Sequence, residues 1–223
     1  METRKRPVLV RRSEQLPEPA QARSRARRAA LLDATLATFA ADGYERTSVS
    51  AVCERAGLPV GTFYQHFRSK RQMLLALMDE LVHRLDGLDL QLGGDDPKSA
   101  IRHLLEGAFA VERRYVGAHR AWREAALVDA EIARRQRAIR LWTSSRVAAA
   151  LRAMQRMANA RRDVDVDTLA PVLDELFWSL LLQPSLHRAA ARARTLRAVT
   201  RLVHHAMFHD PDDEEHHGRW GSP

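Results

Sequence analysis

The 223-residue sequence holds a single cysteine, ten glycines and nine prolines. One cysteine, Cys53, excludes an internal disulfide framework and any zinc site built from several thiolates, and it fits a reducing compartment. Glycine and proline this sparse, in a chain where Ala, Leu and Arg recur, argue against a sandwich or barrel and for an all-α fold. Long hydrophobic runs are missing as well. The longest, residues 176–182, is broken by Ser179 and falls far short of the roughly 18 residues that a membrane span needs. No apolar h-region follows the N-terminal arginines, so the expectation is a cytoplasmic protein without a secretory signal. A glycine-rich phosphate loop, an HExxH pair and a nucleophile elbow are likewise lacking, which leaves an enzymatic role without support and gives no reason to expect a cofactor. His205 and His209 lie four apart, as two metal ligands on a helix would, but no carboxylate or cysteine completes a set, and no metal is expected.

What the sequence has in excess is positive charge, a formal +8 from 36 Lys and Arg against 28 Asp and Glu. Residues 1–28 carry nine basic and three acidic side chains, so most of that excess sits at the N-terminus. With Pro7, Pro17, Pro19 and little apolar periodicity, residues 1–22 read as a flexible basic arm, suited to a polyanion or simply to solubility. At the other end Asp210, Asp212, Asp213, Glu214 and Glu215 precede His216 and His217, and residues 210–223 read as a disordered acidic tail.

Between these ends the apolar residues repeat with helical spacing. Leu31, Leu32, Leu36, Phe39 and Ala40 mark a first helix over 23–41, stopped by Asp42-Gly43. Thr47 and Ser48 offer N-cap hydroxyls to a short second helix that carries Val49, Val52, Cys53 and Ala56 and closes at Gly57. Pro59 opens a very short third helix, with Phe63 and Phe67 one turn apart. Ser69 caps a longer fourth helix, whose Met73, Leu74, Leu77, Met78, Leu81, Val82 and Leu85 repeat at three and four.

Two short helices joined by a glycine turn, between two longer ones, form a helix-turn-helix, here assigned to residues 23–84. With Phe63 and Phe67 turned inward, Val60, Thr62, Tyr64 and His66 are expected on other faces of the third helix, free to meet DNA. The Val60 side chain and the Thr62 methyl suit a thymine methyl; Tyr64, His66, Thr47 and Lys70 suit phosphates, which set register rather than sequence. Residues 29–84 hold six basic and six acidic side chains, so binding must rest on local placement and on the arm.

The run TSVSAVCERAGLPVGTFYQHFRSKRQML, residues 47–74, resembles the DNA-binding signature of TetR-type transcriptional regulators, and LATFAADGYERTSV before it fits the same pattern. The resemblance covers about residues 25–80. It implies that Val60, Gly61, Thr62 and Tyr64 face the groove and that Thr47, His66 and Lys70 meet the backbone. Pro59 departs from the family's usual serine, which removes an N-cap hydroxyl there.

After a loop at 87–97, helices are expected near 98–116, 118–128, 130–159, 168–187 and 190–209, with Gly117 and Asp129 among the separators. This larger bundle, residues 85–209, is expected to hold an effector pocket and the dimerisation surface. Pocket candidates are Phe109, Tyr115, Trp122, Trp142, Phe177 and Trp178, with Glu106 and Asp174 as polar anchors; each aromatic has ordinary core as its alternative. The helix over 168–187 is apolar on two sides, and the last one carries a stripe of its own, so each has a face for a partner subunit. The resemblance implies dimerisation through these last two helices as a four-helix bundle.

The expected protein is therefore a cytoplasmic, ligand-responsive transcriptional regulator, a repressor in the first instance. It is expected to bind a palindromic double-stranded DNA operator as a homodimer and to be released by a small apolar or aromatic effector. The other reading is an all-α enzyme or ligand-sequestering protein whose helix-turn-helix is structural.

Overall fold

The computed structural model describes residues 22–88, 96–183, 186 and 188–209. The basic arm before Ala22, residues 89–95 of the loop and the acidic tail lie outside the described residues. Among these residues the elements are all helices: α1 (Ala22–Arg46), α2 (Val49–Ala56), α3 (Val60–His66), α4 (Lys70–Asp86), α5 (Pro97–Arg113), α6 (Val116–Ala126), α7 (Ala130–Met154), α8 (Val166–Leu181) and α9 (Ala189–Met207). The all-α expectation holds. None of these helices is long and apolar enough to cross a membrane.

The chain divides into two compact units, and the divisions fall just after α4 and within α5 and α7. Unit 1 comprises α1–α4 with residues 110–142; unit 2 takes residues 89–109 and everything from Thr143 onward. By packing, then, α6 groups with the N-terminal helices, whereas the sequence reading sets the boundary at 84/85.

The reason is Gly117. Its sequence reading was that of a helix separator, but it lies inside α6, buried, where its lack of a side chain lets α6 approach the backbone of α1 at Leu36 and Ala40. The core of unit 1 grows from this contact: Leu31 and Phe39 of α1, Phe63 of α3, and Leu74, Leu77, Met78, Leu81 and Val82 of α4 are fully buried. Trp122 of α6 joins them, its indole N–H donating to the Leu74 carbonyl at 3.3 Å. The α4 side chains are those of the three-and-four stripe, so removing that face from water is what holds the helix in place.

Unit 2 has two apolar clusters. One gathers Ile101, Leu151, Met154, Val166, Ala170, Val203 and Met207; the other gathers Phe109, Leu181, Leu186 and Leu196. Asp165 caps α8 by accepting from the Asp167 and Thr168 N–H groups. Helix α7 ends at Met154, five residues before the expected end, because the chain turns there, with Asn159 at a left-handed φ of 59° and Ala160 paired with Phe208.

Candidate nucleic-acid interface

The segment α2–turn–α3 is built from local signals. Ser48 caps α2 by accepting from the Ala51 N–H at 3.1 Å. At the other end Gly57 adopts φ 65°, and the pair Gly57 N–H to Glu54 O (3.1 Å) and Leu58 N–H to Cys53 O (3.0 Å) closes the helix in a Schellman pattern. Pro59 starts α3 without a side-chain cap, its carbonyl accepting from the Thr62 N–H at 2.9 Å. Phe63 and Phe67 are buried with ring centroids 5.8 Å apart, and they pin α3 against the unit. Ser69 then caps α4 through the Gln72 N–H, while Gln72 reaches back to the Arg68 N–H at 2.6 Å.

This arrangement leaves one face of α3 open. Val60 is 43% exposed, Tyr64 57%, and Gly61 and Gln65 are exposed beside them. A Cβ added at Gly61 would meet no atom within 4 Å. Gln65, with Arg68 one turn from Tyr64, was not singled out in the sequence, although the helical repeat 61, 64/65, 68 marks that face.

Two expected contacts turn the other way. Thr62 and His66 are only 8% and 6% exposed and lie on the same side as Phe63 and Phe67, so the expectation that their side chains are free to meet DNA is corrected. With residues 62, 63, 66 and 67 all inside, α3 buries a stripe two residues wide, as a seven-residue helix needs to be held by its neighbours.

The other two expected DNA contacts, Thr47 and Lys70, gather at the break in α1. Gly43 has φ 78° and ψ 179°, which interrupts the helix and turns the Gly43–Arg46 segment out of line. The Thr47 hydroxyl, buried, donates to the Gly43 carbonyl at 2.6 Å. The Lys70 ammonium donates to the carbonyls of Tyr44 (2.6 Å) and Glu45 (3.3 Å) and lies 4.3 Å from the centre of the Tyr44 ring. From the opposite side Glu124 of α6 accepts the Tyr44 N–H at 2.7 Å. Burial opposes ionisation of Glu124, yet the Tyr44 N–H together with Arg120 outweighs it and holds the carboxyl below its usual range. The break is thus clamped by α4 and by α6.

A second tie links α4 to the start of α7. Arg71 donates to Asp129 at 2.5 Å and to Glu131 at 2.6 Å, and its guanidinium holds both carboxyls below the usual range.

His66 carries a testable pH dependence. Burial lowers its pKa, the charges of Arg28 and Arg27 add to the effect, and its Nδ1 has no hydrogen-bond partner. The folded protein then binds fewer protons at this site than the unfolded chain does, so stability rises with pH across the window from the lowered value up to the ordinary 6.5. Urea midpoints should fall as the pH drops from 8 through this window, and His66→Gln should flatten that dependence; an equal slope in both proteins would refute the assignment.

The effector candidates fall into two groups. In unit 2 Phe109 meets Phe177 edge-on at 5.9 Å, and the buried Asp174 accepts the Trp178 N–H at 3.2 Å. Tyr115, Trp122 and Trp142 are buried in unit 1, where Trp122 packs edge-on against His119 at 4.6 Å. Glu106 is exposed.

Comparison with known proteins agrees with this architecture. Residues 31–77 match the model of the bacterial regulatory proteins of the tetR family. Over 79 residues the chain is 37% identical to the HTH-type transcriptional repressor KstR of Rhodococcus jostii, a match spanning 35% of this chain and 37% of that protein. Among solved structures, the SmeT–triclosan complex superposes with a TM-score of 0.64 at 22% identity, covering 83% of this chain and 93% of that one. CprB of Streptomyces coelicolor, solved with its operator sequence, superposes at 0.62 with 21% identity over 84% and 90%. At these identities the structural likeness speaks for the fold alone, and the sequence matches for the N-terminal third.

Proposed function

The chain belongs to the TetR family of bacterial regulatory proteins through its N-terminal domain, and on that premise we propose that it is a cytoplasmic, ligand-responsive transcriptional repressor. In this reading it binds a palindromic operator as a homodimer, is released by a small apolar or aromatic molecule, and has no enzymatic activity of its own. The observation that carries the proposal is the outer face of α3. Val60, Gly61 and Tyr64 stand on a short helix fixed from behind by two buried phenylalanines, and the space over Gly61 is empty of protein, as close approach to a base or phosphate requires. Thr62 supports this face from inside, while Lys70 and Thr47 set the loop before α2 instead of reaching outward.

Repression and release draw support from relatives: KstR is a repressor by name, and SmeT binds triclosan. The Phe109, Phe177, Trp178 and Asp174 group supplies an apolar lining with one buried acid, the composition of a small-molecule site. Val172 on α8 and Leu202 on α9 are each more than half exposed, which fits a partner subunit over these helices. Helices α5 and α7 contain residues of both units, and α7 begins at the Arg71 tie. A ligand that moves α7 would shift α4 and the separation of two α3 helices in a dimer, and linkage then requires DNA to weaken ligand binding by the same factor.

The test is selection of bound sequences from random and genomic DNA by the full-length protein at about 150 mM salt. The expected result is one enriched palindrome. Tyr64→Ala should weaken binding to every sequence about tenfold, by losing a hydrogen bond to a charged phosphate, whereas Val60→Ala should change the preference at a single base position. Enrichment of no palindrome, with both variants behaving as the parent, would defeat the proposal.

A further inference from the structure

Sequence spacing points to Val60 and Thr62 as base contacts, and the burial of Thr62 leaves the second of those places unfilled. Helix α3 has seven residues, and their side chains decide what can take it. Thr62, Phe63 and His66 face inward. Of the four exposed residues, Val60 has no polar atom in its side chain, Gly61 has no side chain, and Tyr64 ends in a single hydroxyl. Gln65 alone carries a donor and an acceptor side by side, the amino and carbonyl halves of one planar amide. Among the described residues that amide has no hydrogen-bond partner, so the fold does not consume it.

The neighbours of Gln65 give it reach. A helical side chain leans back over the turn N-terminal to its own Cα. For Gln65 that turn holds Gly61, four residues earlier and about 6 Å along the axis, where a Cβ would meet no atom within 4 Å. The glycine leaves the amide a clear path along the outer face toward the N-terminal end of α3, the end that meets base edges in a helix-turn-helix. Val60 stands at that end too, about 140° around the axis from Gln65. The two side chains therefore flank the exposed face, with Tyr64 and the gap over Gly61 between them.

We infer that Gln65 is a specificity-determining residue of α3, its amide pairing with N7 and the N6 amino group of one adenine in the major groove of each half-site. The inference rests on the reading of the chain as an operator-binding regulator. Adenine shows an acceptor and a donor side by side in the major groove, and a glutamine amide complements both. Guanine shows two acceptors there, which would set the amide carbonyl against another oxygen. A phosphate would engage only the amino half and leave the carbonyl facing negative charge. Val60, on the other flank, suits a thymine methyl, so the two residues read separate base pairs, one by apolar contact and one by hydrogen bonds.

The experiment repeats the selection of bound sequences with the full-length parent, Gln65→Ala and Gln65→Arg. The affinity of each protein is then measured for the selected duplex and for duplexes in which each A·T pair of the half-site is changed in turn to G·C, in both half-sites. At one such pair the parent should prefer A·T by about ten- to hundredfold. With Gln65→Ala the preference at that pair should fall to within about twofold while the rest of the palindrome is kept, and with Gln65→Arg it should invert to G·C, because a guanidinium pairs with both acceptors of guanine. Equal melting temperatures for the three proteins, as an exposed position predicts, are the check on folding. An alanine variant that loses affinity equally for every duplex would make Gln65 a phosphate contact and overturn the inference. So would two variants that select the parent's palindrome with every preference unchanged. Those outcomes leave the repressor reading standing, whereas a parent that enriches no palindrome would defeat that reading and the inference with it.

Discussion

Replacing Gly117 by alanine should destabilise the protein by about 3 kcal/mol, at the upper end of what overpacking a core ordinarily costs. The added Cβ would lie 2.5 Å from the Leu36 carbonyl oxygen, 2.6 Å from the Ala40 nitrogen and 2.8 Å from the Ala40 Cβ. Two of these are backbone atoms of α1, which cannot swing aside as a side-chain tip can. Relief requires α1 and α6 to separate, and that strips contacts from Phe39, Trp122 and the α4 stripe together. A melting temperature lower by about 6–12 °C is the expected reading for a chain of this size. The same substitution at Gly61 is the control, because a Cβ there meets nothing. Gly61→Ala should leave stability unchanged or raise it by about 0.5–1 kcal/mol, through helix propensity, while weakening DNA binding. Equal stability in the two variants would show that α1 and α6 do not need the close approach.

That pair of glycines also shows how far the sequence can be read. Gly57 was legible because a helix end followed by glycine is a local pattern, and the structure places it at φ 65° closing α2. Gly117 was misread by the same rule, since its reason lies 77 residues away in the backbone of Ala40 and leaves no mark on its neighbours. Phe63 and Phe67 fixed one line on α3, but two residues one turn apart do not say which flank is buried beside them. Packing against α1 and α2 chose Thr62 and His66 and left Tyr64 and Gln65 outside. Lys70 was recognised as an important cation; that its ammonium holds the Tyr44 and Glu45 carbonyls depends on a turn at Gly43 that sequence spacing cannot show. Aromatic residues in the larger half looked alike in sequence because a pocket lining and a core draw on the same side chains. Only packing separates Trp122, tied to Leu74, from Phe177, set against Phe109.

His119→Leu is expected to cost about 1–3 kcal/mol, the penalty for leaving a buried polar group without its hydrogen-bond partner. Glu112, at the end of α5, and His119, in α6, are both buried, with His119 Nε2 and Glu112 Oε2 2.6 Å apart. Leucine fills much of the imidazole volume, so the loss is chiefly that of the donor to a carboxylate which has no water to turn to. Removing both groups should be far milder. In the double variant Glu112→Leu/His119→Leu no unpaired polar group is left behind, and replacing both partners of a buried hydrogen bond by apolar groups can be nearly neutral. The expected outcome is therefore strong non-additivity in chemical denaturation, with the double variant more stable than His119→Leu alone. Additive losses would instead mean that the pair acts through shape. In that case the contact that matters is the imidazole edge against Trp122, and a leucine at 119 would loosen the indole whose N–H ties α6 to Leu74 of α4. The two outcomes assign different roles to one side chain: the hydrogen-bond partner of a buried carboxyl, or a wedge that sets α6 against the helix following α3.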